Sequence, residues 1–520
     1  MTSNALPSRV LDIFNFDAHG DVRLYETSFE PANYICLSHC WGQSRPRRMT
    51  TRQSLDENKK GIPWDDLEQT FQDAIFLARR LDVHYLWIDS FCIIQDDVED
   101  WKEQSNLMAG IYGGAILTIA ASKSRDSSGG CFSQLDPSYQ EVRCSIEEYS
   151  HLYTFYVRKK FDQGFFDSEP WHGALDRQQL PLFDRAWAFQ ERVLSTRVLY
   201  FAPDEIVWEC LDQSRCSCGC VDSSDDFWGS SKGAMAVLRQ PSTIEFPVPK
   251  YNYGFLSGIN SNHAKEWRWL VVQYSGLSLS YEKDKLHALS GLARRFEQLH
   301  PGNDCNYMAG LWSSTLLEDL LWSVHHSTAK QGRPQFWRAP TWSWASVNSK
   351  VSYALISRNS KVIPTSTTFL KAEWNAKMIN SRTLGEGESK SGYITLRGPV
   401  IMGNIDYRWA WGTDPFRIVP RGGMLVQAGG MLMPVLFDYN LRKAGPGRVR
   451  DGSTVLCLLM AIDERSGPVI LVLRRKNVGS EVYERIGLVV KAFDAHWSAW
   501  DPISRKAFDD VAEEREITIV

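Results

Sequence analysis

Tyr34-Ile-Cys-Leu-Ser-His-Cys-Trp-Gly42 is the stretch from which the fold is read. Its first five residues form a short apolar run ending at His39, the signature of a buried strand, and polar and aromatic side chains follow at once. Downstream, Leu67, Phe71, Ala74, Ile75, Ala78 and Leu81 recur at spacings of three and four, predicting an amphipathic helix with acids at its start and Arg79 and Arg80 at its end. Residues 84–94 read as a second buried strand. The acids Asp96, Asp97, Glu99 and Asp100 then open a helix whose inner face carries Trp101, Ser105, Met108, Ile111 and Tyr112, and residues 115–121 form a third strand. Strand, helix, strand, helix, strand with short connections predicts a parallel sheet flanked by helices.

Outward from this block, residues 1–30 read as an N-terminal extension and 122–180 as an insertion within a domain spanning 31–212. That domain resumes with a helix at 184–194 and strands at 198–201 and 206–208. Residues 213–350 form a helical, Trp-rich region, with helices expected at 267–274, 283–299 and 308–322 and an aromatic hinge at 339–345. From 351 to 520 the pattern turns to strands, at 393–397, 455–462, 469–473 and 485–490.

The chain has 520 residues, room for several domains. With 58 basic and 62 acidic residues its net charge is −4, so nothing draws it as a whole to nucleic acid. The run Arg45, Arg47, Arg48 reads as a solvated loop. No apolar run is long enough to span a bilayer, and the N-terminus lacks a secretory pattern, so a cytoplasmic location is expected. Eleven cysteines, an odd number, argue for free thiols in a reducing compartment.

The segments YICLSHCWG (34–42), YLWIDSFCIIQDDVEDWKEQSNLMAGIYGGAILTIAAS (85–122) and LFDRAWAFQERVLSTRVLYF (182–201) resemble, in order and spacing, the three blocks of the heterokaryon-incompatibility (HET) domain of filamentous fungi. Residues 274–293 and 339–347 are similar to segments commonly found downstream of that domain. His39-Cys40 departs from it where an aromatic residue is frequent, and Ala186 where glycine is. HET domains in turn resemble TIR domains, which implies a TIR-like, flavodoxin-like parallel sheet with flanking helices in the N-terminal half. Some TIR domains cleave NAD at the nicotinamide glycosidic bond with one helical glutamate that follows a tryptophan by four residues. Trp187 and Glu191 stand at that spacing, on one helical face.

The resemblance thus points to Glu191 as catalytic, since a carboxylate can stabilise the oxocarbenium charge that develops on the ribose. The alternative is a structural ion pair with Arg185 or Arg192, or a side chain that simply faces solvent. Ser38, His39 and Trp41 lie past a strand's C-terminal end, where open parallel sheets bind ligands. They could bond a ribose or phosphate and stack on a base, or be ordinary buried residues. Asp89, in an apolar strand, needs a partner; it either caps the turn at Ser90–Cys92 or holds a substrate hydroxyl. Arg185 and Trp187 complete the binding set. NAD is a substrate on this reading, and no resident cofactor or metal is expected. The acids at 96–100 lack the glycine and final glutamate of an EF-hand loop. Cys210, Cys216, Cys218 and Cys220 lack the usual zinc-knuckle spacing and read as a free-thiol loop, with structural zinc the alternative. Walker, dinucleotide-binding and serine-hydrolase motifs are missing.

Two functions remain open. One is an effector of fungal non-self recognition that kills the cell by cleaving NAD. The other is a non-enzymatic module acting by self-association, as a homo-oligomer, and by contact with an incompatible protein partner.

Overall fold

The computed structural model describes residues 5–14, 21–42, 45–133, 137–148, 151–159, 180–210, 214–217, 261–299, 306–324, 331–353, 362–374, 392–407, 424–428, 431–463, 467–477, 479–490 and 511–520. Cys218, Cys220 and residues 160–179 of the expected insertion lie outside these. The chain divides into two compact units. One is Met1–Glu245 with Ala288–Phe296; the other is Phe246–His287 with Glu297–Val520.

The strands of the first unit are β1 (Arg9–Asp12), β2 (Arg23–Glu26), β3 (Tyr34–Ser38), β4 (Tyr85–Trp87), β5 (Leu117–Ala120), β6 (Val142–Glu148), β7 (His151–Val157), β8 (Arg197–Phe201), β9 (Ile206–Cys210) and β10 (Ser214–Cys216). Eight of them form one sheet in the order β10-β9-β8-β5-β3-β4-β1-β2, while among the described residues β6 and β7 pair only with each other. The four central strands are parallel, with Ile35 facing Leu86 on β4 and Leu117 on β5, and β5 running parallel to β8. Antiparallel hairpins extend both edges. The result is a mixed α/β domain with a parallel centre, and two of its strands come from the first thirty residues.

All five residues of β3 are buried, as their unbroken apolar run requires of a central strand. The helices described up to residue 194 are α1 (Leu55–Lys60), α2 (Gln69–Arg80), α3 (Asp89–Cys92), α4 (Val98–Gly114) and α5 (Ala186–Leu194). In α2 the expected stripe, Phe71, Ala74, Ile75 and Ala78, faces the core. The acids before α4 act as a helix start. The Asp97 carboxylate accepts from the N–H groups of Glu99 (3.0 Å) and Asp100 (3.3 Å), and Asp100 pairs with Arg9. Arg48 departs from the solvated reading, because its guanidinium bridges Glu57 (3.1 Å) and Asp66 (2.5 Å).

The expected strand at 84–94 is a larger departure. It stops at Trp87, and the chain turns into α3, where the N–H groups of Cys92 and Ile93 return to the carbonyls of Ile88 (2.8 Å) and Asp89 (3.2 Å). Arg9 of β1 then takes the Cys92 carbonyl (2.8 Å). A short apolar run has the same composition in either conformation, and here the tertiary partner decides.

The second unit combines the helix Ser261–Tyr274, which covers the one expected at 267–274, with a nine-stranded sheet that takes in all four strands expected after 390. The 308–322 helix does not form. Ala309 (φ 48°) and Gly310 (φ 96°) reverse the chain into a hairpin of Tyr307–Met308 and Leu311–Trp312, and only Leu316–Asp319 is α-helical. The buried Asp319 fixes that course by accepting from Trp312 N–H (2.9 Å) and pairing with Arg268 (2.6 Å). Trp267, Trp312, Trp322, Trp342 and Trp344 are buried, so 339–345 is core rather than hinge. The sheet closes on itself, since Gly392–Asp406 pairs with both Met424–Ala428 and Thr454–Asp463. Among the described residues, no helix is long and apolar enough to cross a membrane.

Candidate functional site

β3 ends at the middle of the sheet, and the residues just past it are held by α3 on one side and α5 on the other. The Ser38 hydroxyl donates to Glu191 Oε2 of α5 at 2.5 Å. Trp41 Nε1 donates to Asp89 Oδ2 of α3 at 2.8 Å, and His39 Nδ1 lies 3.8 Å from Asp89 Oδ1. Arg185, just before α5, donates to the His39 carbonyl. Six residues expected from the sequence, Ser38, His39, Trp41, Asp89, Arg185 and Glu191, therefore meet at the C-terminal end of the central parallel strand. Trp187 is placed elsewhere, with its ring edge-on to Trp101 of α4 at 6.2 Å between centroids.

Asp89 opens α3 rather than sitting within a strand, and its Oδ1 accepts from Ser90 N–H (2.8 Å), the turn-capping arrangement. Its other oxygen serves Trp41 at the same time.

Glu191 is 4% exposed and Ser38 also 4%. Burial holds the Glu191 carboxyl up at about 7; the Arg185 charge and hydrogen bonds from Ser38 and Tyr112 pull against it, and Asp89 adds to the rise. Burial also pulls the His39 imidazole down to about 4, so the ring is neutral at pH 7. Its Nε2, like Ser90 Oγ, is buried without a hydrogen-bond partner among the described residues. Cys40 is kept a thiol by burial, which raises it to about 11. The site thus holds one carboxyl poised to titrate near neutrality, a neutral imidazole and a fixed cation, but no thiolate nucleophile.

Sequence reasoning missed three supports. The Tyr112 hydroxyl bonds to Glu191 and reaches the Leu37 carbonyl (3.2 Å). Gly42, at φ +79°, passes so near Asp126 that a Cβ would lie 2.5 Å from the Asp126 Cβ. Gln190 Oε1 accepts from Gly291 N–H at 2.9 Å. Only Tyr112 left a signal, its place on the inner face of α4. Among the described residues no group of His, Cys, Asp or Glu could hold a metal ion.

A parallel-centred α/β domain with a buried carboxylate at the end of its middle strand is the class that fold and site define. Residues 34–191 match the family described as "Heterokaryon incompatibility protein (HET)", and the chain carries a HET domain there. Among curated proteins it is similar to "Heterokaryon incompatibility protein 6, OR allele" of Neurospora crassa, 34% identical over 98 residues. That match covers 17% of this chain and 14% of the relative. No solved structure matches the chain.

Proposed function

We propose that the HET domain is a TIR-like NAD glycohydrolase of fungal non-self recognition, acting in the cytoplasm and killing the cell by consuming NAD. The observation that carries this reading is the Glu191 carboxyl, bonded to Ser38 at the C-terminal end of β3 and held near pH 7. The reaction breaks the bond between ribose C1′ and the nicotinamide nitrogen. The bond electrons stay with nicotinamide, which leaves neutral; water gives its oxygen to C1′ and its proton to solvent. Ionised Glu191 stabilises the ribosyl cation in a site of low polarity, and Ser38 orients it. His39 Nε2 and Ser90 Oγ, buried without partners, are two polar atoms that a substrate hydroxyl or phosphate would satisfy.

The test is nicotinamide release by wild type and Glu191→Gln. Wild type releases nicotinamide at a rate that climbs as pH rises through about 7, the ionisation of Glu191, and the variant loses at least a hundredfold. Equal release by both, or none from wild type at high protein concentration, sinks the reading. One observation favours the second function, a non-enzymatic recognition module: Ser38, His39 and Glu191 are all under 5% exposed, so catalysis requires the site to open.

A further inference from the structure

The hairpin β6–β7 stands apart in its chemistry. All but one of its fourteen strand residues are exposed, among them Val142, Ile146, Leu152, Tyr153, Phe155, Tyr156 and Val157. Val142 faces Val157, Cys144 faces Phe155 and Ile146 faces Tyr153, which puts these six side chains on one face, while Tyr156 and Leu152 lie on the other, opposite Arg143 and Glu147. A two-stranded hairpin is marginal in water by itself, and an unpaired strand edge is a template for another strand. Among the described residues neither strand pairs with anything else.

The charges say which edge and which occupant. β7 has no Asp, Glu, Lys or Arg, whereas β6 carries Arg143, Glu147 and Glu148. An antiparallel pair related by a two-fold axis normal to the sheet must have one residue facing its own copy. Full overlap of β6 with itself puts Ser145 on that axis, which sets Arg143 opposite Glu147 twice. Val142, Cys144 and Ile146 then continue the apolar face across the junction. No described ion pair uses either Arg143 or Glu147. We propose that β6 is a self-association edge, and that its occupant is β6 of a second copy of this chain, forming a four-stranded β7-β6-β6-β7 sheet about Ser145.

The test is light scattering and sedimentation of the full chain over a concentration series at low salt. Wild type forms a dimer that weakens as salt rises. Arg143→Glu or Glu147→Arg alone places like charges in register and weakens the dimer at least tenfold, and the double variant R143E/E147R restores it. These positions are on an exposed hairpin, so unchanged thermal melts show that folding is not the cause. A chain that stays monomeric overturns the proposal. So does a dimer that ignores both single reversals, as pairing through β7 would, or a double variant as weak as the singles.

Discussion

Ser38 and Glu191 are 153 positions apart in the chain yet share one hydrogen bond, and with His39 they set a pH balance inside the domain. Glu191 rises from an ordinary 4.5 to about 7 in the folded chain. Between those values the folded state holds a proton the unfolded state has lost, so this group's contribution falls as pH rises across that window, by about 3 kcal/mol in all. His39 drops from 6.5 to about 4, so the unfolded state takes up a proton first and stability falls as pH decreases through that range. The two slopes oppose each other across the mildly acidic range, and above about pH 7 the Glu191 cost stands alone. Glu191→Gln should therefore be more stable than wild type at pH 8, by up to about 3 kcal/mol, with the gap closing toward pH 4.5. Urea melts at both pH values check this, and an equal gap at both would contradict it.

At the scale of the element, the loop leaving β3 is pinned by backbone as well as side chains. Gly42→Ala puts a methyl group on the Asp126 side chain at a left-handed position, and should cost about 1–3 kcal/mol while freeing the loop that carries His39 and Trp41. Thermal denaturation measures the first effect, and Trp fluorescence quenching the second. Elements with a clear period were legible in the sequence: β3 by its apolar run, α2 and α4 by their stripes. α3 was not, because four residues of helix in an apolar run carry no period of their own. Nor was the hairpin after Tyr307, whose course depends on the distant Arg268 and its bond to Asp319. At the site, strand-end logic brought out Ser38, His39 and Trp41, and family spacing Glu191. Tyr112 escaped as a partner of Glu191 because the packing of α4 on α5 is not written in the spacing of either helix.

At the scale of the whole molecule, each unit keeps its own buried centre. In the second, fully buried Arg485 pairs with Asp438 (3.0 Å), donates to the carbonyls of Leu320 and Trp322, and lies over the Trp322 ring at 3.5 Å. It joins the closed sheet to the Trp-rich segment. Arg485→Ala leaves Asp438 buried without its cation and should cost about 3–5 kcal/mol in chemical denaturation. A loss below about 1 kcal/mol, the worth of an exposed pair, would mean that this one is not what joins them.

Ala288–Phe296 is grouped with the first unit although about forty residues of the second precede it. Its Gly291 N–H is the partner of Gln190, the neighbour of Glu191, at a separation of 101 residues, and Arg294 reaches the Asn106 carbonyl. On the ribosome, α5 is made long before that clasp exists. At ordinary elongation rates the delay is roughly 5–20 s. The nascent HET domain must pass through that interval with its glutamate helix only partly fastened, exposed to chaperones and to early partners.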